Sequence, residues 1–379
     1  MKYLYKYPQR KYPYERMVQE SVSRNRDVVE FELLDTGIFD DDRYWDVFIE
    51  VSLILYRDPS EWTKYSPIGS QYAKDEDDPE ALSIRITAYN RGPDPANLHI
   101  IPQLWFMNTW SWPLPTPPRP NVREVAKGVI AAKHQTFGKT YLYCSPSPPP
   151  VNARGEYVTM TNGDGSGDGI PTNVDNVEDE YDDSVEPELI FTENDTNFSR
   201  LYGGRNTSPY VKDAFHDHII PSHRSKPVNG IKTPGVSNGM GAGDHISGAS
   251  TQQFVNPNKT GTKSAAHYSF KNVPGRGGCV VVRLKLTKKS PIEDPAINDE
   301  ELFDQCIDER RMEADEFYNR LAGPGVASDD LRATMRQALG GMMWSKQYYQ
   351  FIQKEWIEGD PAQPPPPPGR KYIRNRVRI

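Results

Sequence analysis

The stretch LHIIPQLWFMNTWSW, residues 98–112, decides how the rest of the chain is interpreted. It begins as a run in which apolar and polar side chains alternate, which is the pattern of a strand with one buried face. The two predicted faces are Leu98, Ile100, Leu104 and Phe106 on the apolar side, and His99, Gln103 and Trp105 on the other. The sequence therefore predicts a sheet strand over the first part of the stretch.

The end of this stretch is rich in tryptophan and is followed by prolines. An indole face matches the C–H face of a sugar ring, and amide groups bind sugar hydroxyls. The candidate carbohydrate-binding residues are therefore Trp105, Asn108, Trp110 and Trp112. In the alternative interpretation the tryptophans only fill the volume of a core, and spacing alone favours this alternative.

Composition excludes several classes of protein. The chain has 379 residues and a net charge of -7 with both signs interspersed, which argues against a general binder of nucleic acid or of membrane surfaces. No apolar run approaches the roughly 20 residues of a membrane span. The start, MKYLYKYPQRKYPYER, has no signal-peptide core, so we expect a cytoplasmic protein. Cys144, Cys279 and Cys306 are too widely spaced for a metal motif and are predicted to be free thiols, and no cofactor is predicted.

Alternation predicts further strands. Residues 44–54 and 83–89 alternate, and Asn90-Arg91-Gly92-Pro93 is a turn signal between the second of these strands and the stretch at 98. We therefore expect a hairpin in which Ile84 and Ile86 share a core face with Ile100 and Leu104. Residues 265–270 and 279–286 are predicted to be two closing strands. The predicted fold is mainly β: a large antiparallel β-sandwich over residues 1–290, with disordered inserts near 145–187 and 221–262.

The pattern becomes helical after Pro295. Asn298 is the predicted cap of a first helix that ends at Gly323-Pro324. A second helix is predicted from about Ser328, with an apolar stripe from Leu331 to Trp356. Residues 291–360 are thus predicted to be linker helices, and residues 361–379 a proline-rich basic tail. An uncovered stripe over 331–356 would favour self-association.

Three groups resemble metal ligands. The acidic insert nearly matches a calcium loop at Asp164, Ser166, Asp168 and Asp175, but its flanks are proline-rich rather than helical, which favours a disordered acidic insert. His216 and His218 point the same way only on a strand, and no third ligand has suitable local spacing. The trio 40–42 (DDD) is more typical of a solvated turn than of a cation site. No metal site is therefore predicted.

Six segments occur in an order that resembles the amino-terminal half of proteins related to glycoside hydrolase family 63. These segments are LLDTGIFDDDRYWDVFIEV, LHIIPQLWFMNTWSW, ELIFTENDTNFSRLYGG, SPYVKDAFHDHII, TGTKSAAHY and MRQALGGMMWSKQYYQF. The family contains the α-glucosidases that trim mannosyl-oligosaccharides. The resemblance implies a β-sandwich followed by linker helices and the first helix of an incomplete (α/α)6 barrel.

The same resemblance implies what the chain lacks. In the family, an aspartic general acid and a glutamic general base perform inverting hydrolysis, and they lie deeper in the barrel, beyond the last residue of this sequence. The chain is therefore expected to be a partial, catalytically inactive hydrolase, with an oligosaccharide as the substrate of its full-length relatives. Lys346 is the charged residue expected nearest the rim of the site, and the favoured alternative is a solvated lysine on a helix. The alternative is a non-catalytic carbohydrate-binding module. Asp35, Asp40, Glu193 and Asp195 are expected to have structural roles.

Overall fold

The computed structural model describes residues 2–24, 26–53, 81–111, 117–158, 184–220, 254–293, 300–325, 328–347, 349, 351–359 and 365–372. The chain divides into two compact units. The first comprises Met1–Phe106 and Pro120–Ile307, and the second comprises Met107–Arg119 and Asp308–Ile379. The first unit contains the sheets, and most of the carboxyl-terminal helical residues belong to the second.

The described strands all belong to the first unit. They are β1 (Lys2–Pro8), β2 (Tyr44–Leu53), β3 (Leu82–Asn90), β4 (Ala96–Ile100), β5 (Gln103–Trp105), β6 (Asn121–Ala126), β7 (Val129–His134), β8 (Gly138–Cys144), β9 (Glu188–Thr192), β10 (Thr260–Gly261), β11 (Lys263–Val273) and β12 (Cys279–Thr287). The described helices are α1 (Tyr14–Ser23), α2 (Phe198–Tyr202), α3 (Ala214–Ile219), α4 (Glu300–Ala322), α5 (Asp329–Trp344) and α6 (Gln353–Glu358). The chain is thus mainly antiparallel sheet with a few helices, as the alternation predicted.

The strands form two sheets. The larger has eight strands in the order β1-β2-β3-β12-β8-β7-β6-β10, and every pairing in it is antiparallel. In the smaller sheet, β11 pairs with β9 on one edge and with β4 and β5 on the other. The pairs Tyr268 with Ile100 and Ala265 with Gln103 share one register, so β4 and β5 are one strand interrupted at Pro102.

The two sheets share one hydrophobic core. It includes Trp45, Val282 and Ile130 from the larger sheet and Phe191 and Tyr268 from the smaller one. The predicted alternation of residues 98–106 is confirmed, because Leu98, Ile100, Leu104 and Phe106 belong to or pack against this core. Ile84 and Ile86 lie in the same core, as expected. The sequence therefore predicted which side chains are buried together.

The predicted hairpin between residues 83–89 and 98–106 is wrong. β3 pairs with β2 and β12 in the larger sheet, whereas β4 pairs with β11 in the smaller one, so the turn at Asn90 passes the chain from sheet to sheet. The predicted closing strands β11 and β12 are likewise in different sheets. A sheet-to-sheet crossing and a hairpin turn present the same glycine and proline signals in the sequence, which is why the turn did not reveal the pairing.

A further crossing, between β10 and β11, requires glycine. A Cβ atom on Gly261 would lie 2.3 Å from the carbonyl oxygen of Thr192, closer than nonbonded atoms approach. The backbones of residues 192 and 261 are therefore adjacent only because residue 261 has no side chain.

Strands β6, β7 and β8 lie where the sequence analysis predicted no element. Both faces of β7 are buried: Ile130 and Ala132 face the shared core, while Val129 and Ala131 pack with two tyrosines of β8 in a second cluster. A strand buried on both faces shows no alternation of apolar and polar residues, so its pattern is weak.

The helices match the prediction in part. Ser328 caps α5 by accepting a hydrogen bond from the Leu331 amide at 3.4 Å, which confirms the predicted start. The predicted continuous stripe to Trp356 is wrong, because α5 ends at Trp344 and the short helix α6 follows. Asn298 lies outside the described residues. Among the described helices, none has the length and apolar character needed to cross a membrane.

Candidate functional site

The outward face of the smaller sheet carries two exposed residues of the stretch 98–112. Gln103 and Trp105 of β5 point away from the core, and Trp105 pairs with Lys263 of β11 in the antiparallel register. Directly paired residues lie on the same side of a sheet. The indole of Trp105, with 54% of its surface exposed, therefore lies beside the Lys263 side chain on an open face.

Helix α3 covers the adjacent part of this face. Phe215 of α3 is buried in a cluster with Ile190 of β9, Ala265 of β11 and Val255, which precedes β10. Ile219 packs against the same cluster. The helix is only six residues long, and a helix this short is not stable through its own hydrogen bonds. Its stability therefore depends on the packing of its apolar side chains against the sheet.

An open groove lies between α3 and the strands, and we call it the outer groove. Its lining residues are Ile101, Gln103, Lys212, Phe215, His216, Ile219, Ile220 and Lys263. The lining is mostly apolar and has a few polar groups, which is the usual composition of a small-molecule site. Because Trp105 is the neighbour of both Gln103 and Lys263, the groove and the exposed indole form one continuous surface.

Lys263 is the partly buried cation of the outer groove. Its ammonium group donates a hydrogen bond to the carbonyl oxygen of Lys212 at 2.9 Å and lies 4.8 Å from the centre of the Phe215 ring. Burial lowers the pKa of Lys263, the charge of Lys212 lowers it further, and Asp213 partly offsets both effects. The charged form of Lys263 is therefore destabilised where it stands.

Histidines and one carboxylate join α3 to the smaller sheet. His218 of α3 and Glu188 of β9 are 2.9 Å apart between Nε2 and Oε1, and the other carboxylate oxygen lies 3.5 Å from Nδ1 of His267. His267 in turn contacts His99 at 2.8 Å. Hydrogen bonding from His267, and then from His218, lowers the pKa of Glu188 to about 2 although burial opposes this. Burial, followed by the charge of His267, lowers the pKa of His99.

The segment between β9 and α3 is hydrogen-bonded to Phe106, the residue that follows β5. The Asn194 side chain donates to the carbonyl oxygen of Phe106 at 2.9 Å, next to Trp105. Glu193 accepts a hydrogen bond from Thr262 at 2.7 Å, and Asp195 is buried and accepts one from Thr207 at 3.2 Å. These carboxylates have roles in holding the segment. Asp35 likewise accepts the Glu32 amide at 2.8 Å at a helical turn, and Asp40 begins another such turn.

The structure distributes the predicted sugar-binding residues over both units. Trp105 is in the first unit, whereas Asn108, Trp110 and Lys346 are in the second. Asn108 accepts the Ser111 amide at 3.1 Å, and the Arg119 guanidinium lies 5.9 Å from the Trp110 ring centre. Lys346 is exposed and follows the end of α5 rather than lying on a helix. Trp112 lies outside the described residues.

The residues whose sequence pattern resembles metal ligands contact protein groups or line the outer groove. His216 and His218 lie on helix α3 and not on a strand; His216 lines the outer groove while His218 contacts Glu188. Residues Asp40–Asp42 form a helical turn in which Asp41 contacts Arg10. In the described part of the chain, no group of three His, Cys, Asp or Glu side chains is arranged to hold a metal ion. The calcium-like residues Asp164, Ser166, Asp168 and Asp175 lie outside the described residues.

Sequence analysis did not identify the groove residues Lys212, Phe215 and Lys263. The first two belong to a segment whose apolar spacing suggested order without showing what it packs on. Lys263 becomes notable only through its pairing with Trp105, 158 residues earlier in the chain. In the sequence, alternation places Lys263 on the same face of its strand as Ala265 and His267. Alternation does not indicate which strand pairs with it.

No protein-family model and no solved structure matches this chain. The chain is 34% identical, over an alignment of 394 positions, to the uncharacterized protein YMR196W of Saccharomyces cerevisiae. The alignment covers 99% of this chain and 30% of the yeast protein. The chain therefore spans about 30% of the length of the relative that it matches.

Proposed function

We propose that the outward face of the smaller sheet binds carbohydrate, with Trp105 as the stacking surface and the few polar groups of the outer groove beside it as hydrogen-bonding partners. The observation that carries this proposal is the exposure of Trp105, at 54%, next to Gln103 and Lys263 on a rigid strand. An exposed indole on a sheet presents a flat apolar area whose ordering costs little side-chain entropy. Amide and ammonium donors nearby would bind the sugar hydroxyls.

The test is calorimetric titration of the chain with gluco- and manno-oligosaccharides at millimolar concentration. We expect saturable binding by the wild-type chain and its loss in Trp105→Ala. Trp344→Ala is the matched control, because Trp344 is similarly exposed, at 61%, and lies in the second unit. Binding that is unchanged in Trp105→Ala, or absent from the wild type, contradicts the proposal.

We further propose that this chain corresponds to the β-sandwich and linker part of a glycoside hydrolase family 63-like protein, including the first helix of an (α/α)6 barrel. Two antiparallel sheets around one core, followed by helices, support this proposal. On this proposal the inverting carboxylates and an oligosaccharide substrate belong to the hydrolase as a whole, and this chain supplies binding without turnover. Measurable hydrolysis of an α-glucoside by the purified chain, above a buffer blank, would contradict it.

The alternative proposal is a carbohydrate-binding module that acts by itself. It is favoured if the isolated chain binds neutral oligosaccharides with the Trp105 dependence described above and remains monomeric. A cytoplasmic location is part of both proposals, and the unpaired state of Cys144, Cys279 and Cys306 supports it, since disulfides are rare in reducing compartments.

A further inference from the structure

Among the residues that the structure describes, those lining the outer groove include two lysines and no carboxylate. The ionisable lining residues are Lys212, Lys263 and His216, and the remainder are apolar apart from Gln103. Asp213 lies close enough to affect Lys263, but its carboxylate accepts hydrogen bonds from Asn197 at 3.1 and 3.3 Å and from Arg200 at 3.3 Å. The groove therefore has an excess of positive charge although the chain as a whole is acidic.

The Lys263 ammonium group retains donors for a ligand. One N–H group is used by the Lys212 carbonyl oxygen, and within the described part of the chain we find no further hydrogen-bond acceptor for it. A lysine ammonium has additional N–H donors, and in a half-buried position an unmet donor is unfavourable. A carboxylate or phosphate oxygen would satisfy these donors and neutralise the repulsion between Lys212 and Lys263.

The position of Lys263 relative to Trp105 defines the ligand further. The two residues are direct cross-strand partners on one face, so an anion bound at Lys263 lies within reach of a ring stacked on the indole. We propose that the outer groove is an anion-binding subsite that takes the carboxylate or phosphate group of an acidic sugar, the ring of which stacks on Trp105. This inference rests on the proposed carbohydrate-binding function and specifies the class of its ligand.

The experiment compares glucose, glucuronate, glucose 6-phosphate and inorganic phosphate by calorimetry at about 0.15 M salt, where long-range charge effects are screened. We expect the two acidic sugars to bind the wild-type chain about tenfold more tightly than glucose, which is the effect of one charge-assisted hydrogen bond. The stronger of the two acidic sugars identifies whether the groove accepts carboxylate or phosphate.

Lys263→Gln should bind the acidic sugars no more tightly than it binds glucose, because glutamine donates hydrogen bonds without carrying a charge, and Lys263→Arg should keep the preference. Lys271→Gln is the matched control, since Lys271 is an exposed lysine on the same strand. Thermal melting of each variant checks folding, and Lys212→Gln provides a second substitution at an exposed position if Lys263→Gln unfolds. In that case a smaller preference in Lys212→Gln supports the subsite and an unchanged preference overturns it.

The outcomes separate this inference from the proposed function. Equal affinity of the wild type for glucose and the acidic sugars, with binding lost in Trp105→Ala, overturns the anion subsite and leaves carbohydrate binding intact. Phosphate binding that depends on Lys263, without any binding of sugars, supports the subsite and overturns the sugar as its ligand. Absence of binding by all four compounds overturns both.

Discussion

At the scale of single residues, Asn90 shows how one buried amide connects distant parts of the chain. Its side chain is fully buried, donates to the carbonyl oxygens of Asp94 and Val273 at 3.0 Å each, and accepts from the Gly92 amide at 3.0 Å and from Gln9 at 2.6 Å. Every hydrogen-bonding group of the amide is therefore used, and the bonds hold together two of the places where the chain changes sheets, after β3 and after β11.

We expect Asn90→Ala to reduce the free energy of unfolding by about 3 kcal/mol, because buried partners lose their hydrogen bonds without access to water. Urea unfolding followed by fluorescence measures this change. Asn97→Ala is the control: Asn97 is exposed and accepts one bond from the Asn272 amide at 2.9 Å, so its loss should cost under about 1 kcal/mol. Equal losses in the two variants would contradict the role assigned to Asn90.

Residues 98–112 show which features of a site can be predicted from sequence. The exposure of Trp105 and the burial of Leu104 follow from alternation, which depends only on neighbouring residues. Lys263 and Asn90 acquire their roles from partners brought together by the strand pairing, and no local pattern encodes that pairing. The sequence therefore predicted the outward-facing indole of Trp105 and missed the cation beside it.

At the scale of secondary structure elements, the first turns of α4 are attached to the outer face of the larger sheet. Asp304 contacts Arg283 of β12 at 2.6 Å and Arg85 of β3 at 3.2 Å, while Glu50 contacts Arg85 at 3.0 Å and Glu300 contacts Arg283 at 3.1 Å. Burial alone would raise the pKa of Asp304, but hydrogen bonds and charge from the two arginines lower it. These ion pairs therefore contribute to the attachment of α4.

Asp304→Asn should lower the free energy of unfolding by about 2 kcal/mol, because it removes the negative charge shared by two largely buried guanidinium groups. Asp308→Asn is the matched control; its ion pair with Arg311 is exposed and is expected to contribute less than about 1 kcal/mol. Urea unfolding at pH 7 measures both changes. A loss in Asp304→Asn no larger than in the control would show that α4 does not depend on this contact.

The contacts of Glu188 predict a pH dependence for the attachment of α3. A carboxylate whose pKa is lowered on folding stabilises the protein above its unfolded pKa of about 4.5, and this stability is lost as the pH falls toward the folded pKa of about 2. Because half of the Glu188 side chain is exposed, solvent reduces the contribution to about 1 kcal/mol. The ionisable groups around Glu188 are His218 and His267, which contact it directly, and His99, which contacts His267.

Glu188→Gln should therefore be about 1 kcal/mol less stable than the wild type at pH 6 and should approach it below about pH 3. Urea unfolding curves at a series of pH values measure the difference. A difference that stays constant from pH 6 to pH 3 would show that ionisation of Glu188 does not contribute.

Considering the whole molecule, the two units differ in how many side chains they bury. Helix α5 has no buried residue, and Ile307, the buried residue of α4, belongs to the first unit, which has a large shared core. Helices without tertiary burial are marginally stable in water. We expect the circular dichroism signal at 222 nm to be lost at a lower urea concentration than the fluorescence of the buried Trp45; coincident midpoints would contradict this.

The second unit has exposed apolar side chains through which two copies of the chain could associate, and the same urea experiment tests this. Leu331, Met342, Met343 and Trp344 are each more than half exposed. If they associate with a second copy of the chain, the midpoint of the helical transition should rise with protein concentration. Met342→Lys combined with Trp344→Lys should remove that dependence, and light scattering should show a smaller mass. A midpoint independent of concentration in the wild type would contradict self-association.

Topology was less predictable than burial. The alternation of apolar and polar residues identified β2, β3 and the strands β4 and β5. It did not show that β3 and β4, which follow each other in sequence, lie in different sheets. Pairing depends on which edges remain available after every strand has been placed, and a turn of glycine and proline suits both a hairpin and a crossing. The position of β12 between β3 and β8 is a result of this kind.

That position of β12 affects synthesis. The edge of β3 pairs with residues that follow it by almost 200 positions, since β3 ends at Asn90 and β12 ends at Thr287. At a translation rate of about 5–20 residues per second, the ribosome needs roughly 10–40 s to supply the missing strand. During that interval the nascent chain would expose the unpaired backbone N–H and C=O groups along one edge of β3, and such an edge can pair with strands of other chains.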